Sequence, residues 1–186
     1  MSVSNEADAP HVVLVGLSGA GKSTVAHVLS DMLGRTRADI DALIAARSGL
    51  TTSDLLRHDP IGFRRIEAEV IAEVLGDPTP HVVATGGGAV TTPATRDRLI
   101  AGIAGHPPPA VVWLRAPTTT LAARVKVGEE RPLLAGAAMV ERLEAQSQER
   151  DELYAAVATF TLDTATMTPY ECAHAIAAWL STSSGK

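Results

Sequence analysis

With 186 residues, 46% of them hydrophobic, the chain has the length and apolar content of one globular domain with one core. A net charge of −5 argues against nucleic acid or an anionic membrane as the main partner. No stretch is long and apolar enough to span a bilayer, and residues 1–10 lack the features of a signal peptide, so the cytoplasm is the expected setting.

Aromatic residues make up only 3%, which leaves Ala, Val, Leu and Ile to fill the core. Residues 1–10 are polar and are expected to fray. Val12–Val15 is a short β-branched run, expected as a buried strand, and a glycine-rich loop follows it. Helical spacing runs from Ser23 to Leu33, with Gly34 as its stop. Asp39-Ile-Asp41 then opens a helix over Leu43–Arg47. Further helices are expected over Ser53–Leu56 and Phe63–Leu75, separated by Pro60-Ile-Gly62. His81–Thr85 reads as a strand meeting Gly86-Gly-Gly88, and Pro93–Ile103 as a helix. After the stiff Pro107–Pro109 connector, Ala110–Leu114 is a strand and Thr118–Val125 a helix. The charged segment Gly128–Gly136 reads as a flap. Beyond it come a helix over Met139–Val157, a strand over Ala158–Leu162 and a helix over Pro169–Leu180, with residues 181–186 as a flexible tail. Apolar strands alternating with helices imply a parallel sheet covered on both faces, in one α/β domain. The single cysteine, Cys172, sits in helical spacing and is expected to be a small buried residue.

Gly16-Leu-Ser-Gly-Ala-Gly-Lys-Ser-Thr24 fits the Walker A pattern, and it lies where that pattern requires, between a strand and a helix. Its glycines let the backbone curl so that N–H groups converge on phosphate oxygens, and the helix adds its positive end. Lys22 would reach the β- and γ-phosphates, and the Ser23 hydroxyl would take a Mg²⁺ position. The motif indicates a nucleoside triphosphate without choosing between ATP and GTP. Asp39 and Asp41 are carboxylates near that loop, suited to Mg²⁺ or a substrate hydroxyl; a helix cap is the simpler role for Asp41. Arg64 and Arg65 lie about 100° apart around a helix, so they should meet different surroundings. The triplet Gly86–Gly88 would let a ligand approach the backbone, or would merely turn the chain. Arg131, in the flap, could bring positive charge to a transferring phosphoryl group. Arg150 could bind an anion or simply pair with Glu149 or Asp151.

The ordered set Gly-Leu-Ser-Gly-Ala-Gly-Lys-Ser-Thr, Asp-Ile-Asp, Phe-Arg-Arg-Ile-Glu, Gly-Gly-Gly-Ala-Val-Thr, Arg-Pro-Leu-Leu-Ala-Gly and Glu-Arg-Asp-Glu-Leu-Tyr resembles shikimate kinase from about residue 11 to 180. The resemblance implies a three-layer α/β/α P-loop kinase fold with a central five-stranded parallel sheet, a substrate-binding helical region at 34–62 and a mobile lid at 125–137. It implies transfer of the γ-phosphate of ATP to the 3-hydroxyl of shikimate, with Mg²⁺, in a monomer. By matching motif, Lys22, Asp41 and Arg131 would be catalytic. Gly16, Ser18, Gly19, Ala20, Gly21, Lys22, Ser23, Thr24, Arg124 and Arg131 would contact the nucleotide, Arg124 by stacking on adenine. Asp41, Arg64, Gly86, Gly87, Gly88 and Arg150 would hold shikimate, the two arginines through its carboxylate. Ser23 and Asp39 would serve Mg²⁺. The chain departs from the family at Arg57–Gly62, which is about one residue short and lacks a Gly-Glu pair. It also has Leu56 where an aromatic often stands, and acidic residues just before Arg131. These departures bear on the acceptor, and the alternative is a related kinase acting on a sugar acid or cyclitol.

Overall fold

The computed structural model describes residues 9–128 and 137–183. The flap around Arg131 therefore lies outside the described residues, as do the outermost parts of both ends.

Five strands form one parallel sheet in the order β2-β3-β1-β4-β5. They are β1 (Val12–Val15), β2 (Thr36–Asp39), β3 (His81–Ala84), β4 (Ala110–Arg115) and β5 (Phe160–Asp163). The helices between them are α1 (Lys22–Leu33), α2 (Ile40–Ser48), α3 (Thr52–His58), α4 (Pro60–Leu75), α5 (Pro93–Ala101), α6 (Thr118–Gly128), α7 (Ala137–Val157) and α8 (Pro169–Ser183). The architecture is the expected three-layer α/β/α arrangement: α1 packs on α8 in one helical layer, while α5 packs on α4 and α7 in the other. No helix among the described residues is long and apolar enough to cross a membrane.

Burial follows position in the sheet. Val12–Val15 are wholly buried because β1 is central, and Val82, Val83, Val111, Val112 and Leu114 surround it. The expectation of strands apolar on both faces fails at the two edges. β2 reads Thr-Arg-Ala-Asp and buries only Ala38, and β5 alternates between half-buried and exposed residues. An edge strand has a neighbour on one side only, so polar residues there cost little and discourage pairing with another chain.

Helix ends differ from expectation where backbone chemistry decides. Pro60 does not separate two helices. It occupies the first turn of α4, where its missing N–H costs nothing, and Asp59 alone divides α3 from α4. The Asp59 carboxylate accepts from Gly62 N–H at 2.8 Å and so caps α4. α5 stops at Ala101, short of Ile103, because Gly102 takes φ of 74°. Cys172 is buried as expected.

All five strands run the same way, so their C-terminal ends share one edge of the sheet. At the opposite edge, just before β1, His11 is buried and stacks on His81 at the start of β3. His11 Nδ1 accepts from the His81 backbone N–H at 3.1 Å, and its Nε2 lies 3.2 Å from the Asp77 carbonyl oxygen. A backbone N–H can only donate, so this geometry holds the imidazole neutral with its proton on Nε2.

Candidate active site

The loop after β1 is shaped by close packing. Gly16 has φ of 141°, and a side chain there would run into the Leu114 carbonyl oxygen of the neighbouring strand. Gly21, at φ of 87°, turns the chain directly into α1. The Lys22 ammonium group folds back to donate to the carbonyls of Gly16 and Leu17, at 2.8 and 2.9 Å. Burial pushes its pKa down to about 8, against the opposing pull of Asp41 and Asp39. The loop thus carries a buried cation at the mouth of a cleft of about 520 Å³.

Asp39 ends β2 and caps α2, its Oδ1 accepting from Ala42 N–H at 3.3 Å. Its other oxygen accepts from the Ser23 hydroxyl at 2.7 Å, which brings together the two residues assigned by motif to Mg²⁺. Asp41 sits in the first turn of α2 and lines the same cleft as Ser18, Lys22, Ser23 and Gly87. Gly19, Ala20, Gly21 and Thr24 line it too.

The glycine triplet is a point of contact, not just a turn. A Cβ on Gly86 would lie 2.5 Å from Glu67 Oε1 and 3.2 Å from Asp41 Oδ1. One on Gly88 would collide with the Arg64 guanidinium. One on Gly87 would lie 3.4 Å from Ser18 N and 3.5 Å from the Gly16 carbonyl oxygen, against the phosphate loop. The triplet therefore stands between the nucleotide loop and the Asp41–Arg64 side.

Arg64 and Arg65 separate as expected: their side chains are 26% and 74% exposed. Arg64 donates to Glu67 Oε2 at 2.6 Å. Glu67 is 1% exposed, and its Oε1 has no hydrogen-bond partner. Burial raises its pKa, Arg64 opposes that shift, and Asp41 adds to it. Sequence reasoning gave Glu67 no role, although its spacing three residues after Arg64 on a helix was a usable signal. Arg150, on α7, donates to the Gly87 carbonyl at 3.2 Å and pairs loosely with Glu149 at 3.4 Å. Its buried Nε has no acceptor. The simple ion pair with Glu149 is thus present, beside the contact with the Gly87 carbonyl. Tyr154, one turn further on and also unassigned from sequence, donates to the same Gly87 carbonyl.

Arg124, on α6, lines the outer cleft beside Met167 and Cys172. It donates to the Thr164 hydroxyl at 3.0 Å and to the Thr164 carbonyl at 2.6 Å. These bonds fix the guanidinium as a wall of the cleft.

Lys22 thus lies buried near the carboxylates of Asp39 and Asp41, while Arg64 and Arg150 lie against the glycine triplet. The shikimate kinase family model matches residues 18–181.

This chain belongs to the shikimate kinase family.

Shikimate kinase from Thermobifida fusca is 43% identical over 169 residues, covering 90% of this chain and 93% of its relative. That from Halorhodospira halophila is 43% identical, covering 82% and 83%. Among solved structures, shikimate kinase from Acinetobacter baumannii in complex with shikimate superposes with a TM-score of 0.84 at 31% identity, over 96% of both chains. A gluconokinase from Sinorhizobium meliloti reaches a TM-score of 0.59 at 22% identity, a likeness of fold.

Proposed function

We propose that this shikimate kinase family member transfers the γ-phosphoryl group of ATP to the 3-hydroxyl of shikimate, working as a monomer in the cytoplasm. The observation that carries the reading is the glycine triplet, with the phosphate loop against Gly87 and Asp41 and Arg64 against Gly86 and Gly88. Phosphoryl transfer asks a protein mainly for positioning and charge stabilisation, and each side chain has such a task. The loop amides from Gly16 to Thr24 hold the phosphates. Lys22 exchanges its two carbonyl partners for phosphate oxygens and neutralises charge there. Arg131, assigned by its motif, adds a second positive charge from the lid. Arg124 offers its guanidinium face to the base.

On the acceptor side, Arg64 and Arg150 clamp the carboxylate, which fixes the ring. Asp41 then accepts a hydrogen bond from the attacking hydroxyl, orienting it and receiving its proton as the new O–P bond forms and the bond from the γ-phosphorus to the bridging oxygen breaks, with ADP as the leaving group. Glu67 keeps Arg64 aimed. The oxygens of Ser23 and Asp39 suit a hard divalent cation. Ser23 and Asp39 would hold Mg²⁺ there, and the ion would supply charge neutralisation at the phosphates.

A coupled assay of ADP release with Mg²⁺-ATP tests the reading, run with shikimate, gluconate and a carboxylate-free cyclitol in separate arms. Stimulation by shikimate alone is expected. Turnover on gluconate or the cyclitol without turnover on shikimate would replace the acceptor while keeping the phosphate chemistry.

A further inference from the structure

Tyr154 is 1% exposed, four residues beyond Arg150 on the same face of α7. Its ring stacks on Trp113 of β4, with centroids 5.6 Å apart. Phenylalanine would fill that space equally well, so packing accounts for the ring but not for the buried hydroxyl. The hydroxyl donates to the Gly87 carbonyl oxygen, which also accepts from Arg150. A carbonyl oxygen has two lone pairs, and here both are used. Burial raises the phenol pKa, so the group remains a donor at working pH.

The two donors differ in what else they can do. Tyr154 is walled in by Trp113 and the core. Arg150 has a buried Nε with no acceptor, and among the described residues its only ion-pair partner is an exposed glutamate on its own helix. If Arg150 alone held Gly87, turning toward an incoming anion would release the glycine loop, which packs against Ser18 and Gly16 of the phosphate loop.

We propose that Tyr154 is a positioning residue: it anchors the Gly87 carbonyl from the core side, so that Arg150 can give up that carbonyl and bind the acceptor's carboxylate without displacing the glycine loop. The proposal rests on the reading of Arg150 as a carboxylate ligand.

The test is a steady-state comparison of Tyr154→Phe, Arg150→Ala and the double variant, with shikimate and ATP each varied. Losing the hydroxyl forces Arg150 to hold Gly87, so Tyr154→Phe should raise the shikimate KM about 3- to 10-fold, the worth of one hydrogen bond. The ATP KM and kcat should stay within about twofold, the change expected where only acceptor binding is weakened. In the Arg150→Ala background the Tyr154 change leaves the Gly87 carbonyl with neither donor, so there it should release the glycine loop and shift the ATP KM as well as the shikimate KM. An unchanged shikimate KM in Tyr154→Phe, beside a raised one in Arg150→Ala, overturns the proposal and leaves the carboxylate reading standing. An ATP KM that stays unchanged in the double variant also overturns it, since Gly87 then needs neither donor. So does, in Tyr154→Phe alone, a fall in kcat with both KM values shifted, or failure to fold, since either marks a merely structural hydroxyl. An unchanged shikimate KM in Arg150→Ala overturns the carboxylate reading itself.

Discussion

A methyl group at Gly88 has nowhere to go except into the Arg64 guanidinium. Gly88→Ala should therefore push Arg64 out of line. We expect the shikimate KM to rise about tenfold or more, the scale of loss when a positioning group is displaced by an ångström. The ATP KM should change little, because Gly88 faces away from the phosphate loop; steady-state kinetics with each substrate varied checks both. Lys22 belongs to the other half of the site. Lys22→Ala should lower kcat/KM by about 10²- to 10³-fold, the usual cost of removing one preorganised charge from a transition state. The same kinetic experiment reads it. The Walker A loop is legible as a local pattern, whereas the roles given to Asp39, Asp41, Arg64 and the triplet come from the ordered set of motifs, since each of these alone also suits a cap, a solvated face or a turn. Glu67 and Tyr154 were less legible. Their roles come from partners they meet in space, and an acid or a tyrosine in helical spacing looks the same whether it faces water or a buried acceptor.

At the scale of elements, the central strands are readable from their continuous apolar runs, and β2 shows only as an apparent strand end at Asp39-Ile-Asp41. Thr36–Asp39 gives no hydrophobic signal because an edge strand needs none. The division between α3 and α4 was misplaced for a related reason, since proline reads as a breaker although the first helical turn tolerates it. The junction of β1 with β3 carries a pH dependence. His11 sits there between the His81 ring and N–H and the Asp77 carbonyl and carboxylate, with His106 also within electrostatic reach. Burial, chiefly, lowers its pKa from the ordinary value of about 6.5. The unfolded chain therefore takes up this proton at higher pH than the folded protein does. Its contribution to stability is complete above pH of about 6.5 and is lost as the pH falls below that. Urea midpoints measured from pH 7.5 down to 5.5 should fall for the natural protein, and the fall should be shallower for His11→Val.

For the whole molecule, the site joins residues from β1's loop, α2, α4, the triplet and α7, so ligands that bind it hold separate parts of the fold together. A ligand at 100 times its Kd adds about 2.7 kcal/mol of stability. In a chain of this size each kcal/mol moves Tm by about 2–4 °C. Saturating Mg²⁺-ATP should thus raise Tm by about 5–10 °C in a thermal melt, and Lys22→Ala should lose most of that shift.

The central place of β1 bears on how the protein is made. Its neighbours are β3, starting at His81, and β4, starting at Ala110, and the tight fit of Gly16 is against Leu114. The phosphate loop leaves the ribosome before the wall at Leu114 that shapes it, which is synthesised roughly 90 residues later, a delay on the order of ten seconds at ordinary translation rates. Until His81–Ala84 is made, a nascent chain carries an apolar strand with neither partner, and until Leu114 is made, a glycine loop without that wall to curl against. Nucleotide cannot assist folding at that stage, and the first protection available to Val12–Val15 is whatever covers the chain as it emerges.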